Sequence, residues 1–118
     1  MHLDLSRSGR WLALCLLFGL LVPSWAQQPV PALTAHVMDG TGTLTSNQVQ
    51  AMESRLAAFE AAKGTQIVLL MVASTQPEDI AAYANRVATT WKVGRKDVGD
   101  GLLLIVAKDD RKLRIEVA

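Results

Sequence analysis

The sequence predicts an α/β domain built on a mixed β-sheet, in the order helix, strand, helix, strand, strand. Three observations lead there. The runs "QIVLLMVA" (66–73) and "LLLIVA" (102–107) are apolar throughout and of strand length, the pattern of strands buried on both faces. The segment between them has a helical period, so the two strands are joined by a βαβ crossover and run parallel. The last segment, "KLRIEV" (112–117), alternates apolar and charged residues after a "KDDR" turn, as expected of an antiparallel hairpin partner nearer the sheet edge.

The chain has 118 residues, but its start reads as an export signal and not as part of the fold. Arg7 and Arg10 precede the apolar run Trp11–Val22, and Pro23, Ser24 and Ala26 supply a small-residue cleavage site, so residues 1–26 fit a signal peptide cut after Ala26. A retained membrane anchor is the competing reading. Against it, the apolar run of twelve residues falls short of the ~20 that span a bilayer. The expected location is periplasmic, or the extracytoplasmic face of a membrane. Cys15 lies inside the signal, so the mature chain is expected to have no thiol chemistry and no disulfide. Loss of Arg7, Arg10 and Asp4 leaves ten basic and ten acidic residues, a balance that argues against nucleic-acid binding. The local cluster Lys92, Arg95 and Lys96 reads as solvated charge at a helix end.

Residues 27–35, with Pro29 and Pro31, have no period and read as a linker; an ordered domain is expected over 36–118. The first helix is signalled by a T-x-x-Q capping box at Thr45 and Gln48, a hydrophobic staple from Leu44 to Val49, and a stop at Gly64. Its apolar face is read as Val49, Met52, Leu56 and Phe59. The second helix is expected to start from a capping box at Thr75 and Glu78, with Pro77 in its first turn, and to bury Ile80, Ala84, Val87 and Trp91. In the final strand Leu113, Ile115 and Val117 share one face.

The acids sort into two groups, because a strand of about six residues at roughly 3.3 Å per residue separates its ends by about 20 Å. Asp97 and Asp100 precede the "LLLIVA" strand and Asp109 and Asp110 follow it, so Asp100 and Asp109 cannot share an ion. Asp100, between two glycines, reads first as a tight turn. Parallel strands bring Ser74 and Thr75 to the edge that carries Lys108, Asp109 and Asp110. The amino end of the first helix adds Asp39. Open α/β sheets bind ligands at such an edge. Asp39, Asp109 and Asp110, with Ser74 beside them, therefore form a candidate site for a hard cation, calcium or magnesium, which takes several oxygen ligands. Asp109 and Asp110 read equally well as hairpin-turn residues. No phosphate-binding loop, dinucleotide fingerprint or nucleophile elbow is present, nor any haem signature, and the one mature histidine, His36, offers no zinc pair.

The ordered set "VMDGTGTLTSNQ", "FEAAKGTQIVLLMV", "WKVGRKDVGDGLLLIVA" and "DDRKLRIEV" resembles the TPM domain family, which includes thylakoid proteins of photosystem II repair and bacterial YgcG-like exported proteins. The resemblance covers residues 36–117. It implies an αβα sandwich with the mixed sheet between helices, and an exported or membrane-tethered location. It also implies a function among three kinds: divalent-cation binding, weak acid phosphatase activity, or accessory work with membrane protein complexes. By position it points to Asp39, Asp109, Asp110 and Arg111. Family members continue through a further helix, often to a membrane anchor, so the resemblance implies that a C-terminal helix is missing after Ala118 and one sheet face partly uncovered. The expected function is an exported, cation-binding accessory module acting with membrane protein complexes. The alternatives are a weak metal-assisted phosphatase and a nonfunctional fragment. Oligomeric state is left open.

Overall fold

The structure is a computed structural model and describes residues 26–94 and 100–118. The signal-peptide reading, and the turn and charge readings at Arg95, Lys96 and Asp97, lie outside the described residues apart from Ala26. The elements are β1 (Val37–Asp39), α1 (Ser46–Lys63), β2 (Gln66–Val72), α2 (Ile80–Trp91), β3 (Gly101–Ala107) and β4 (Lys112–Val117). They form one sheet in the order β1-β2-β3-β4, with β1, β2 and β3 parallel and β4 antiparallel to β3. The α/β class and the mixed sheet are as the sequence predicts. The leading strand β1 is an addition to the predicted order.

Strand alternation divides the core in two. Val68 and Leu70 of β2 and Leu103 and Ile105 of β3 turn to one face, where Tyr83, Ala84 and Val87 of α2 cover them, and all seven are buried. Leu69 and Met71 of β2, with Val37, turn to the other face and meet Val49, Met52 and Leu56 of α1. The helices therefore sandwich the sheet. α1 lies over β1 and β2, while α2 packs on β3 and β4.

α1 begins and ends as its sequence requires. Thr45 accepts from the Gln48 amide at 3.1 Å and the Gln48 side chain accepts from the Thr45 amide at 2.9 Å, closing the capping box. Gly64 stops the helix at φ +78°, a left-handed conformation that costs glycine little. Phe59 departs from the expected face and is 42% exposed. The inward stripe runs through Val49, Met52, Leu56 and Glu60, and Phe59 lies at its margin, about 20° beyond Met52 on the helix and near its carboxyl end. α2 also starts later than expected. Its N-cap is Asp79, whose side chain accepts from the Ala81 amide. Thr75 and Glu78 instead close a turn before it, with the buried Thr75 hydroxyl donating to the Glu78 carbonyl at 3.0 Å. β3 enters through a close crossing at Gly101, where a Cβ would lie 2.4 Å from the Gly94 amide nitrogen.

β1 is held from both sides. Its His36 carbonyl accepts from Leu69, and the Glu53 carboxylate accepts from the His36 and Val37 amides at 3.1 and 2.8 Å. The His36 ring lies between Glu53 (2.7 Å) and Glu60 (3.1 Å), tying the strand to α1. Residues 27–31 lie along α2: Tyr83 and Trp91 donate to the Pro29 and Pro31 carbonyls, and Arg86, paired with Glu78, donates to the Gln28 carbonyl. Among the described residues no helix is long and apolar enough to cross a membrane.

The face of β4 carrying Leu113, Ile115 and Val117 is not covered by α1, and the three side chains are 65%, 51% and 72% exposed.

The hydrogen bond that the His36 ring donates to the Glu53 carboxylate raises the His36 pKa against the lowering effect of burial, and Glu60 adds to the rise. Burial works to raise the Glu53 carboxyl, but the His36 ring and the His36 and Val37 amides outweigh it and hold it low. A raised histidine pKa contributes stability that is complete below the unfolded value, about 6.5, and is lost as pH rises through the folded value. The stability advantage of the native chain over His36→Gln, measured by urea unfolding, should therefore be about 1 kcal/mol near pH 5.5 to 6.5 and shrink at pH 8 to 9. An advantage that does not vary with pH would show that the ring acts by packing alone.

Candidate functional site

The parallel arrangement delivers the carboxyl ends of β1, β2 and β3 to one edge. Asp39 is paired in register with Met71, and the Gly40 amide continues the ladder to the Met71 carbonyl at 2.9 Å. From the other side, the Lys108 and Asp109 amides donate to the Val72 and Ala73 carbonyls at 2.9 and 2.8 Å. The segments that hold Asp39, Ser74 and Asp110 thus meet at this edge, while Asp100 lies at the opposite end of β3, where its carbonyl accepts from the Gln66 amide.

Two of the acids at the edge, Asp39 and Asp110, have definite sets of partners. Asp39 folds the loop that follows it, because one carboxylate oxygen accepts from the Thr41 amide at 2.9 Å and from the Thr41 hydroxyl, and the other accepts from the Leu44 amide at 2.7 Å. This places the amino end of α1. Burial works to raise the Asp39 carboxyl, but the amides of Leu44, Thr41 and Thr43 and the Thr41 hydroxyl outweigh it and hold the pKa below the usual carboxylate range. Asp110 joins the β3–β4 turn to the β2–α2 loop: the Ser74 hydroxyl lies 2.9 Å from both carboxylate oxygens and the Thr75 amide donates at 3.0 Å. Ser74 in turn accepts from the Gln76 amide. Asp109 is exposed, and Arg111, also exposed, occupies the left-handed region at φ +53° in the turn before β4.

A cleft of about 590 Å³ opens at this edge. Asp39, Gly40 and Ser74 form its polar border, and Pro29, Pro31, Met38, Val72 and Tyr83 contribute apolar wall. Asp109 and Asp110 do not line it. Among the described residues, no group of three or more histidine, cysteine, aspartate or glutamate side chains is placed to hold a metal ion. The structure therefore links Ser74 to Asp110 and brings Asp39 and Ser74 to one cleft, but it does not assemble Asp39, Asp109 and Asp110 into a ligand set. As arranged, Asp39 and Asp110 act as loop ties.

Three features of this region escape the sequence reading. Tyr83 forms the floor and donates to Pro29, and Thr75 is a buried hydroxyl under the loop. The segment read as a linker builds one wall. The only sequence signal for that wall was its pair of prolines, which is equally a signal for a free linker.

The residues matching the family model of the TPM domain are 37–118. Among solved structures, the N-terminal domain of a Porphyromonas gingivalis protein ("P.gingivalis") superposes with a TM-score of 0.63 at 28% identity, over 71% of this chain and 54% of that one. The N-terminal domain of a Corynebacterium glutamicum protein superposes with a TM-score of 0.62 at 16% identity, over 82% of this chain and 62% of that one, a likeness of fold alone. The chain thus spans between about half and three fifths of the length of these two structures. No curated protein matches it.

Replacing Asp39 with asparagine turns one acceptor oxygen into a donor that faces an amide or hydroxyl donor, which should cost about 1 to 3 kcal/mol at pH 7. Because the folded pKa is depressed, the advantage of the native chain over Asp39→Asn should be constant above the unfolded value, about 4, and fall as pH drops through the folded one. Unfolding curves at pH 7 and pH 3 check both halves. Equal stability of the two proteins at pH 7 would remove Asp39 from its place as the loop tie.

Proposed function

Since the chain belongs to the TPM domain family, we propose that it is an exported accessory module that acts by binding, holding a segment of a membrane-protein complex in the cleft at the carboxyl edge of its parallel strands. One observation carries this reading. Asp39 and Asp110 spend their oxygens on protein donors, while the cleft at the same edge presents apolar wall with a few polar groups at its border. Such a surface suits recognition by shape and apolar contact, with Asp39, Gly40 and Ser74 fixing orientation. Export rests on the leader pattern at residues 1–26.

The reading is tested by a photoreactive residue placed at Met38 in the cleft and, as a control, at Lys63 at the far end of α1, in cells that express the full chain. A discrete crosslinked product from position 38 that is absent from position 63 is expected. Equal labelling from both positions would reject the cleft as the binding surface.

The phosphatase alternative needs a cation held by Asp39, Asp109 and Asp110, which do not fit that role as arranged, so no catalytic step is assigned to them. Calcium and magnesium titration of the full chain by calorimetry is expected to give no saturable binding at millimolar concentrations. Saturable binding that Asp110→Asn abolishes would overturn this and reinstate a cation-dependent function.

A further inference from the structure

We propose that β4 is a self-association edge, pairing antiparallel with β4 of a second copy about a twofold axis through Ile115. Among the described residues β4 closes one side of the sheet. The Ala118 amide donates to the Gly101 carbonyl at 2.9 Å, and the register sets Glu116 opposite Leu103 and Arg114 opposite Ile105. Bonded and non-bonded pairs alternate along an antiparallel ladder, so Arg114 and Glu116 turn their backbone groups toward β3. The N–H and C=O groups of Leu113, Ile115 and Val117 therefore point to the free edge. These are the same residues whose side chains are more than half exposed. An edge that combines outward backbone groups with apolar side chains is a template for another strand.

The charged residues choose the register. With Ile115 opposite the partner's Ile115, Leu113 faces the partner's Val117, and every outward backbone group of the three residues has a partner. On the other face of the strand, Arg114 then lies opposite the partner's Glu116, and the twofold repeats the pair. Sliding the strands by two residues in one direction sets Arg114 against the partner's Arg114; sliding them in the other sets Glu116 against the partner's Glu116. Like charges directly opposite destabilise a sheet, and the centred register avoids both clashes. Within one chain Arg114 and Glu116 are already aligned along this face, 3.3 Å apart, with Glu116 also within 3.5 Å of Asn85 of α2.

The test is analytical ultracentrifugation of the full chain, with folding of each variant checked by circular dichroism. A concentration-dependent dimer is expected. Arg114→Glu and Glu116→Arg should each weaken it roughly tenfold or more, because each places like charges opposite one another twice. An equimolar mixture of the two variants should recover the dimer, since one chain then carries two acids and the other two bases at the facing positions. The double variant Arg114→Glu/Glu116→Arg should recover it as well. A monomer at all concentrations would overturn the proposal, as would a dimer that either single swap leaves unchanged. Folded single variants whose mixture stays monomeric would also overturn it.

Discussion

The parallel pairing of β1, β2 and β3 is the constraint on which the rest of the structure depends. Parallel neighbours cannot be joined by a tight turn, so each connection must cross a face of the sheet, and here α1 and α2 make those crossings on opposite faces. The same pairing sends the carboxyl ends of these three strands to one side. The cleft, the Asp39 loop and the Ser74–Asp110 tie all lie there for that reason.

Carboxylates do much of the joining in this small domain. Glu53 meets the amides that open β1, Asp39 meets the amides that lead into α1, and Asp110 fastens the β3–β4 turn to the loop after β2. In each case an ionised side chain satisfies backbone donors at an element's end, where no strand or helix partner is available. An acidic group gathered near a sheet edge can therefore be structural glue, even where its position suggests a ligand site. The walls of the cleft at this edge are largely apolar and come partly from residues 27–31.

Elements with a strong period were legible in the sequence. The two apolar runs became β2 and β3, the Thr45–Gln48 box and Gly64 bounded α1 as read, and the edge shared by Asp39, Ser74 and Asp110 followed from strand direction alone. β1 was not legible, because Val37–Asp39 is too short to show alternation and owes its strand conformation to the β2 edge and to Glu53. The role of His36 was not legible for a similar reason. Its partners Glu53 and Glu60 lie seventeen and twenty-four residues away, and only the packing of α1 against β1 brings them to the ring. The carboxylate roles were hidden as well, because residue type and loop position are the same for a cation ligand and for a loop tie.

The crossing at Gly101 has a genetic consequence. Backbone meets backbone there, with the Gly94 Cα 2.5 Å from where a Cβ would stand, so the first carbon of any side chain meets the obstruction. Every missense change at that codon inserts that carbon, whether the new residue is alanine, serine or arginine. Position 101 should therefore behave in a mutational scan as a near-binary site, with chemical similarity to glycine carrying no benefit. An exposed turn position such as Lys108 should instead show graded tolerance.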